Sequence, residues 1–271
     1  MDSLVTVDWL KNHLNDSDLV ILDASASDII SGNVPELDTV KIVGARVFDL
    51  KNDFSDTTSL YPNTLLSPED FELACQSLGI NKTSKIIVYD NLGVYWSPRV
   101  WWLFKAMGHV NIAVLDGGLP EWLAEGFPVE VKKFKVLHKG DFKASLNNKM
   151  IVGFLDVLEN TKSEDAVLID ARSSGRFSGS VPEPRKDLRG GCIPNSINIP
   201  YQSILNEGKY KPISELKTIF KELKQEERPL VFSCGSGVTA CILLLASELV
   251  GTKNKKSVYD GSWTEWAQKV L

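Results

Sequence analysis

The sequence predicts an α/β protein built from two tandem domains, each with a mainly parallel sheet flanked by helices. Short apolar runs, typical of buried strands, alternate with helical stretches along the chain. An internal repeat places similar motifs at a constant distance in the two halves. The length of 271 residues is enough for two domains of ordinary size.

The repeat is defined by two matches at one offset. The apolar run that ends at Asp90 matches the run that ends at Cys234, 144 residues later. The same offset relates residues 114–122 to residues 258–266. Asp90 and Cys234 therefore occupy equivalent positions, and only the second half has a cysteine there.

The element pattern predicts a first domain over residues 1–127, a linker over 128–149 and a second domain over 150–271. The linker prediction rests on a polar, lysine-rich composition without clear periodicity. Helices are predicted over 213–223 and 238–249. In parallel sheets of this class, sites form at the carboxyl ends of the strands, so the loop after the strand ending at Ser233 is the first place to examine.

Bulk properties exclude several classes of function. A net charge of -5 and a pI near 5.4 argue against nucleic acid as a partner. The N-terminus has no signal-peptide pattern, and no apolar run approaches the roughly 18 residues that span a membrane. The four cysteines form no Cys-x-x-Cys pair, so we expect no metal, no cofactor and no disulfide framework, but reduced thiols in the cytoplasm.

Cys234 begins a glycine-containing loop between a strand and a helix, Cys234 to Ala240. Such a loop directs several backbone N–H groups at one point, and the helix dipole adds to the positive potential. This environment favours a thiolate and, equally, a persulfide anion. Spacing alone leaves the alternative of a small buried hydrophobic residue about equally open for Cys234, whereas Cys241, inside an apolar helix, fits that alternative better.

Phosphatases also use a cysteine in a strand–loop–helix segment. Their chemistry needs an arginine at the end of the loop to bind the phosphoryl oxygens. The corresponding position is Ala240, and no arginine occurs between Cys234 and the end of the chain. The sequence therefore argues against phosphoryl transfer.

The motifs resemble the two-domain rhodanese family of sulfurtransferases over nearly the whole chain. The resemblance is closest to the members that use 3-mercaptopyruvate. It rests on the loop Cys234 to Ala240, on segments 89–91, 96–102 and 114–118 in the first half, and on segments 170–172, 175–177, 183–185 and 190–194 in the second half.

This resemblance implies two rhodanese-like domains, of which only the second is catalytic. It also implies that Cys234 takes a sulfur atom from 3-mercaptopyruvate, releases pyruvate, and passes the sulfur to a thiol, to thioredoxin or to cyanide. Arg176 and Arg185 match the arginines that hold the substrate's carboxylate and carbonyl. The predicted substrate-binding residues are Arg176, Arg185, Gly235, Ser236, Gly237, Val238 and Thr239.

The uncharged pair Gly235-Ser236 favours monoanionic mercaptopyruvate, because thiosulfate-preferring members carry Arg-Lys there. Ser236 matches a serine proposed to assist proton transfer together with an Asp and a His. Lys51 and Asn63 stand at those two positions, so this chain departs from that relay. Cys192 replaces a family histidine and is interpreted as a small residue that opens a strand.

Two alternatives remain at this point. One is a thiosulfate:cyanide sulfurtransferase, and the other is a protein sulfur-relay carrier that receives its persulfide from another protein. The five tryptophans at helical spacings are predicted to serve core packing and the interface between domains rather than ligand stacking: Trp101, Trp102, Trp122, Trp263 and Trp266.

Overall fold

The computed structural model describes residues 1–26, 39–133, 137–223 and 225–270. The chain divides into two compact units. The first unit comprises Met1–Thr57, Leu65–Asn147 and Glu207–Lys209, and the second comprises Thr58–Thr64, Asn148–Asn206 and Tyr210–Leu271. Each unit thus includes a short segment from the other half of the sequence.

The first unit contains a five-stranded sheet and a separate two-stranded sheet. Its strands are β1 (Leu4–Val5), β2 (Leu19–Asp23), β3 (Val40–Ile42), β4 (Arg46–Val47), β5 (Lys85–Tyr89), β6 (Ile112–Leu115) and β7 (Val129–Val131). Its helices are α1 (Val7–His13), α2 (Pro68–Ser77), α3 (Ser97–Ala106) and α4 (Gly118–Ala124). The order of the five-stranded sheet is β1-β6-β5-β2-β4, and all its pairings are parallel.

The second half of the chain repeats this arrangement. Its strands are β8 (Ile151–Val152), β9 (Val167–Asp170), β10 (Ile197–Asn198), β11 (Leu205–Asn206), β12 (Lys209–Tyr210), β13 (Leu230–Ser233) and β14 (Lys256–Tyr259). Its helices are α5 (Phe154–Ser163), α6 (Ser174–Ser178), α7 (Ile213–Ile219), α8 (Ala240–Leu249) and α9 (Ser262–Lys269). The parallel sheet has the order β8-β14-β13-β9-β10.

The two sheet orders correspond strand for strand, which confirms the α/β fold class with two tandem repeats. In each half, the strand that precedes the Asp90 or Cys234 loop is the central one. Both central strands are apolar and buried, as expected where helices cover both faces of a parallel sheet. The core role predicted for the five tryptophans is confirmed, since each is at most 2 % exposed.

Two helices differ in length from their predictions. α7 ends at Ile219 rather than at residue 223, although Leu223 is still buried. α8 begins at Ala240 rather than at residue 238, because residues 235–239 belong to the loop after β13. Among the described residues, no helix is long or apolar enough to cross a bilayer.

The segment predicted as a linker contains ordered structure. β7 lies within it and pairs antiparallel with β3. Phe142 is buried, and its carbonyl oxygen accepts a hydrogen bond from the Gln76 side chain. Residues 134–136 of this segment lie outside the described residues. The other residues up to Asn147 belong to the first unit, where apolar contacts and strand pairing hold them. Hydrophobic periodicity in the sequence does not reveal such contacts.

Candidate active site around Cys234

Cys234 lies immediately after the central strand β13, at the carboxyl edge of the sheet, and is 2 % exposed. The loop then runs to the N-terminus of α8. Gly237 has a φ of 77°, which a residue with a side chain adopts only under strain. A strand, a tight turn and a helix N-terminus in this order typically direct backbone N–H groups toward one point, which here is the start of the loop at Cys234.

Ser262 holds this loop from the start of α9. Its Oγ accepts hydrogen bonds from the N–H of Cys234 at 3.3 Å and of Gly237 at 3.1 Å. The same hydroxyl donates to the carbonyl of Tyr259 at 2.8 Å. Ser262 is fully buried and has a φ of 50°, an uncommon backbone for serine. Sequence reasoning missed it, although the repeat offset pairs it with Gly118, whose φ is 51°.

The first turn of α9 also binds the carbonyl groups of the loop. The N–H of Trp263 donates to the oxygen of Cys234 at 3.0 Å. The N–H and Oγ1 of Thr264 both donate to the oxygen of Gly235, at 3.1 and 2.6 Å. Three residues of one helix end therefore determine the loop's conformation.

The loop leaves several backbone donors without an acceptor in the described part of the chain. These are the N–H groups of Gly235, Ser236, Val238, Thr239 and Ala240. Val238, Thr239 and Ala240 are buried, and buried N–H groups are almost always satisfied in folded proteins. A set of them in a loop that begins at a cysteine therefore indicates a site for an anionic ligand or an anionic form of the cysteine.

The equivalent loop of the first unit shows such donors in use. The Asp90 carboxylate is fully buried and accepts from the N–H groups of Leu92, Tyr95, Trp96 and Ser97 at 2.9–3.0 Å. The hydroxyl of Ser97 adds a fifth bond at 2.7 Å. Burial raises the pKa of this carboxyl, and the hydrogen bonds oppose that shift.

Three of the four backbone donors of the first loop have unsatisfied counterparts in the described part of the second loop, while the fourth, Ser97, corresponds to Cys241, whose N–H donates to the Val238 carbonyl at 3.1 Å. At the offset of 144 residues, the N–H groups of Leu92, Tyr95 and Trp96 correspond to those of Ser236, Thr239 and Ala240. In the first unit these N–H groups bind a carboxylate, whereas in the second unit they belong to the loop that begins at Cys234 and have no acceptor among the described residues.

Arg176 lies beside the loop. Its Nη2 is 3.0 Å from the point that a Cβ on Gly235 would occupy. The guanidinium donates through Nη2 to Glu183 Oε2 at 2.6 Å and through Nε to both Glu183 oxygens at 3.2 Å. Glu183 also accepts from Arg172, which is itself buried and paired with Asp170. This chain of charges orients Arg176 while its side chain remains 24 % exposed.

Arg185 reaches the loop through another contact. Its Nη1 donates to Thr264 Oγ1 at 3.2 Å, and that hydroxyl donates to the Gly235 carbonyl. Both predicted carboxylate-binding arginines thus lie close to Gly235. A guanidinium fork is the side chain best suited to bind a carboxylate.

Two further side chains approach the loop. Asn63 Nδ2 donates to Ser236 Oγ at 3.0 Å, and residues 58–64 belong to the second unit. Tyr201 lies near Arg176 and Cys234: burial raises the pKa of its hydroxyl, the Arg176 charge opposes this, and Cys234 adds to it. Sequence reasoning gave Tyr201 no role, since a single tyrosine after a short strand carries no local signal.

The sequence of the chain is similar to those of known proteins. The rhodanese-like domain family matches the chain twice, over residues 6–125 and 155–269. The chain belongs to the rhodanese family. The two rhodanese-like domains correspond to the two sheets described above.

Rhodanese relatives align with nearly the whole chain. The chain is 39% identical to a 3-mercaptopyruvate sulfurtransferase of Mus musculus, covering 97% of this chain and 91% of that protein. It is 38% identical to a thiosulfate sulfurtransferase of Rattus norvegicus, covering 98% and 92%. The crystal structure of a 3-mercaptopyruvate sulfotransferase from Escherichia coli superposes with a TM-score of 0.84 at 34% identity, covering 97% of this chain and 99% of that one.

The other cysteines of this rhodanese have different surroundings. Cys75 is buried in α2, and burial raises the pKa of its thiol far above the ordinary value. Cys241 is buried in α8 and donates to the Gly237 carbonyl at 3.3 Å. Cys192 is partly exposed, next to the Gly191 carbonyl that accepts from Arg172. Of the four, Cys234 is the one that begins a loop of unsatisfied N–H groups.

Proposed function

We propose that this chain is a 3-mercaptopyruvate sulfurtransferase that carries sulfur as a persulfide on Cys234. The observation that carries the proposal is the set of N–H groups of Ser236, Thr239 and Ala240 in the loop that begins at Cys234. Their counterparts in the first unit bind the Asp90 carboxylate. An anion is therefore the natural occupant of the same place in the second unit.

A cysteine persulfide has the right length to be that anion. An aspartate oxygen lies three bonds from Cα, through Cβ and Cγ. The terminal sulfur of a persulfide also lies three bonds from Cα, through Cβ and Sγ. In this proposal the charged persulfide sulfur on Cys234 takes the place in its loop that an Asp90 oxygen has in the first loop.

The reaction balances without a cofactor. The Cys234 thiolate attacks the sulfur of 3-mercaptopyruvate and forms an S–S bond as the substrate's C–S bond breaks. The electron pair of that bond and the substrate's thiol proton both end on the carbon that becomes the methyl group of pyruvate. An acceptor thiol or cyanide then takes the outer sulfur and restores the Cys234 thiolate.

Arg176 and Arg185 bind the carboxylate and carbonyl of the donor in this proposal. Their proximity to the loop supports this role, since a carboxylate bound by them would lie near Gly235. The loop itself supplies no charged side chain, which suits a monoanion better than dianionic thiosulfate. Gly237, Val238 and Thr239 contribute backbone rather than side-chain chemistry.

In this proposal the domain predicted over residues 1–127 carries no sulfur, and the domain predicted over residues 150–271, which follows the predicted linker 128–149, carries the catalytic cysteine. Asp90 in place of cysteine supports that division. The proposed acceptor is a thiol such as that of thioredoxin, and the proposed location is the cytoplasm.

The test compares sulfur donors and follows the sulfur. Pyruvate release from 3-mercaptopyruvate should exceed thiocyanate formation from thiosulfate, with cyanide as the acceptor in both assays. Mass spectrometry should find one added sulfur atom per chain, on Cys234. Cys234→Ser should abolish both signals, and Cys192→Ser, the matched control, should abolish neither. Turnover by Cys234→Ser would exclude the mechanism.

The main competing donor is thiosulfate, which the 38% identity to a rat thiosulfate sulfurtransferase favours. A higher kcat/KM with thiosulfate than with 3-mercaptopyruvate would establish it. A sulfur-relay role would appear differently: Cys234 would gain sulfur from a cysteine desulfurase but from neither small donor.

A further inference from the structure

Asn63 contacts Ser236 and has no role in the proposed reaction. Its side-chain Nδ2 lies 3.0 Å from Ser236 Oγ and 3.5 Å from the Ser236 carbonyl oxygen. Asn63 has a φ of 61°, a left-handed backbone that asparagine tolerates better than most residues. It lies in segment 58–64, which belongs to the second unit. The segment is anchored further by the Tyr61 ring, 5.8 Å from Lys269 Nζ.

The direction of the hydrogen bond follows from chemistry. The Ser236 carbonyl can only accept, so the amide atom that faces it must be the NH2 group. That group therefore donates to Ser236 Oγ as well. The hydroxyl oxygen is engaged as an acceptor, and the hydroxyl proton remains available for donation to another group.

An amide also cannot remove the serine proton. Asparagine has no proton-accepting nitrogen at any ordinary pH, unlike histidine, whose neutral ring accepts. Asn63 therefore cannot act as a general base toward Ser236. The balance above needs no proton from Ser236, because the substrate's own thiol proton completes pyruvate.

We propose that Asn63 is a positioning residue that orients the Ser236 hydroxyl as a fixed hydrogen-bond donor to the substrate's carbonyl oxygen. This inference rests on the proposed function. When the C–S bond breaks, negative charge develops on that oxygen as the enolate of pyruvate forms. A donor oriented in advance stabilises such charge more than one that must first rotate. Ser236 is then a catalytic residue and acts without a general base.

A double-mutant cycle tests the pairing through pyruvate release from 3-mercaptopyruvate. Ser236→Ala should lower kcat by about 100-fold, the effect of losing one such donor. Asn63→Ala should lower kcat by several-fold with a smaller change in KM. The double variant should be no slower than Ser236→Ala alone, since Asn63 acts through that hydroxyl. Additive losses would overturn the proposal.

Asn195→Ala is the matched control for the backbone. Asn195 also has a left-handed φ, of 60°, and its Nδ2 also donates to a backbone carbonyl, that of Thr161 at 3.0 Å. It is exposed and should leave kcat unchanged. An equal loss of kcat in Asn63→Ala and Asn195→Ala would show a general effect of the substitution and contradict the proposal.

The pH profile supplies a second, independent readout. Asn63→His would place an imidazole, with an ordinary pKa of about 6.5, against Ser236. The kcat profile of Asn63→His should gain an inflection in that range that the wild-type profile lacks. Superimposable profiles would mean that residue 63 does not act on the Ser236 hydroxyl. A failure of the proposed function would be distinguishable from these results, because the wild-type Cys234 would gain no sulfur from 3-mercaptopyruvate.

Discussion

Glu183 is the residue on which the geometry of Arg176 depends. One buried carboxylate accepts from Arg172 Nη1 at 2.8 Å and from Arg176 Nη2 at 2.6 Å. The Arg172 guanidinium is further held by Asp170 and stacks over the Trp263 ring at 4.3 Å. Arg176 is therefore presented to the loop by a network with little freedom to rearrange.

Glu183→Gln should raise KM for 3-mercaptopyruvate about tenfold and change kcat less. The neutral amide replaces one accepting oxygen with a donor, so a guanidinium loses a charge-assisted hydrogen bond. Steady-state kinetics measures the split, and urea unfolding should show a loss of about 2 kcal/mol. Glu226→Gln is the control, because Glu226 forms an arginine pair of the same 2.6 Å length on the exposed surface. Equal effects of the two substitutions would contradict the positioning role of Glu183.

Single residues differed in how far the sequence could assign them. Arg176 and Arg185 are predicted because they match motifs; in the structure Arg176 lies beside Gly235, and Arg185 contacts Thr264, whose hydroxyl binds the Gly235 carbonyl. Glu183 belongs to one of the sequence motifs, but only the structure shows that two guanidinium groups donate to its carboxylate. Ser262 could not be assigned, because its function depends on a positive φ and on hydrogen bonds to a loop 25 residues or more away in sequence.

At the scale of elements, the two strand–loop–helix segments share one backbone design with different occupants. Gly93 and Gly237 both have positive φ, at 92° and 77°, at equivalent positions. The first loop encloses its own carboxylate, whereas the second encloses a thiol and leaves donors unsatisfied. The repeat offset predicts that the two loops are equivalent. Only the tertiary structure decides which N–H groups bind the carboxylate.

Asp90→Asn should destabilise the first unit by about 2–4 kcal/mol, because the amide NH2 would face backbone donors in a buried site. Urea unfolding followed by circular dichroism measures the loss. Asp49→Asn is the control, since Asp49 accepts three hydrogen bonds within its own turn but is only partly buried. That substitution should cost less than about 1 kcal/mol. A cost for Asp90→Asn as small as that for Asp49→Asn would show that the carboxylate is not essential to the loop.

At the scale of the whole molecule, sequence order and structural membership do not coincide. Residues 58–64 lie between β4 and α2 in the chain, yet they belong to the second unit. Residues 207–209 lie in the second half of the chain, yet they belong to the first unit, where Lys209 pairs with Glu121 at 2.7 Å. Domain boundaries drawn along the sequence therefore miss both segments.

Hydrogen exchange should show segment 58–64 following the stability of the second unit. Leu244→Ala removes a fully buried side chain from α8 and should cost about 2–5 kcal/mol there. Ile87→Ala does the same in β5 of the first unit. Mass spectrometry should find faster exchange of residues 58–64 in Leu244→Ala but not in Ile87→Ala. The reverse pattern would contradict the assignment of the segment.

The sequence by itself determined the α/β class, the two repeats, the cysteine at the carboxyl end of a buried strand and, through the family resemblance, the two arginines. These features are local or repeated, so hydrophobic period, motif and offset suffice to reveal them. Only the tertiary structure decided that Ser262 and Thr264 hold the Cys234 loop, that Glu183 orients Arg176 and that Asn63 meets Ser236. Each of these depends on side chains brought together from separate elements, and a hydrogen bond between distant residues leaves no periodic signal in the sequence.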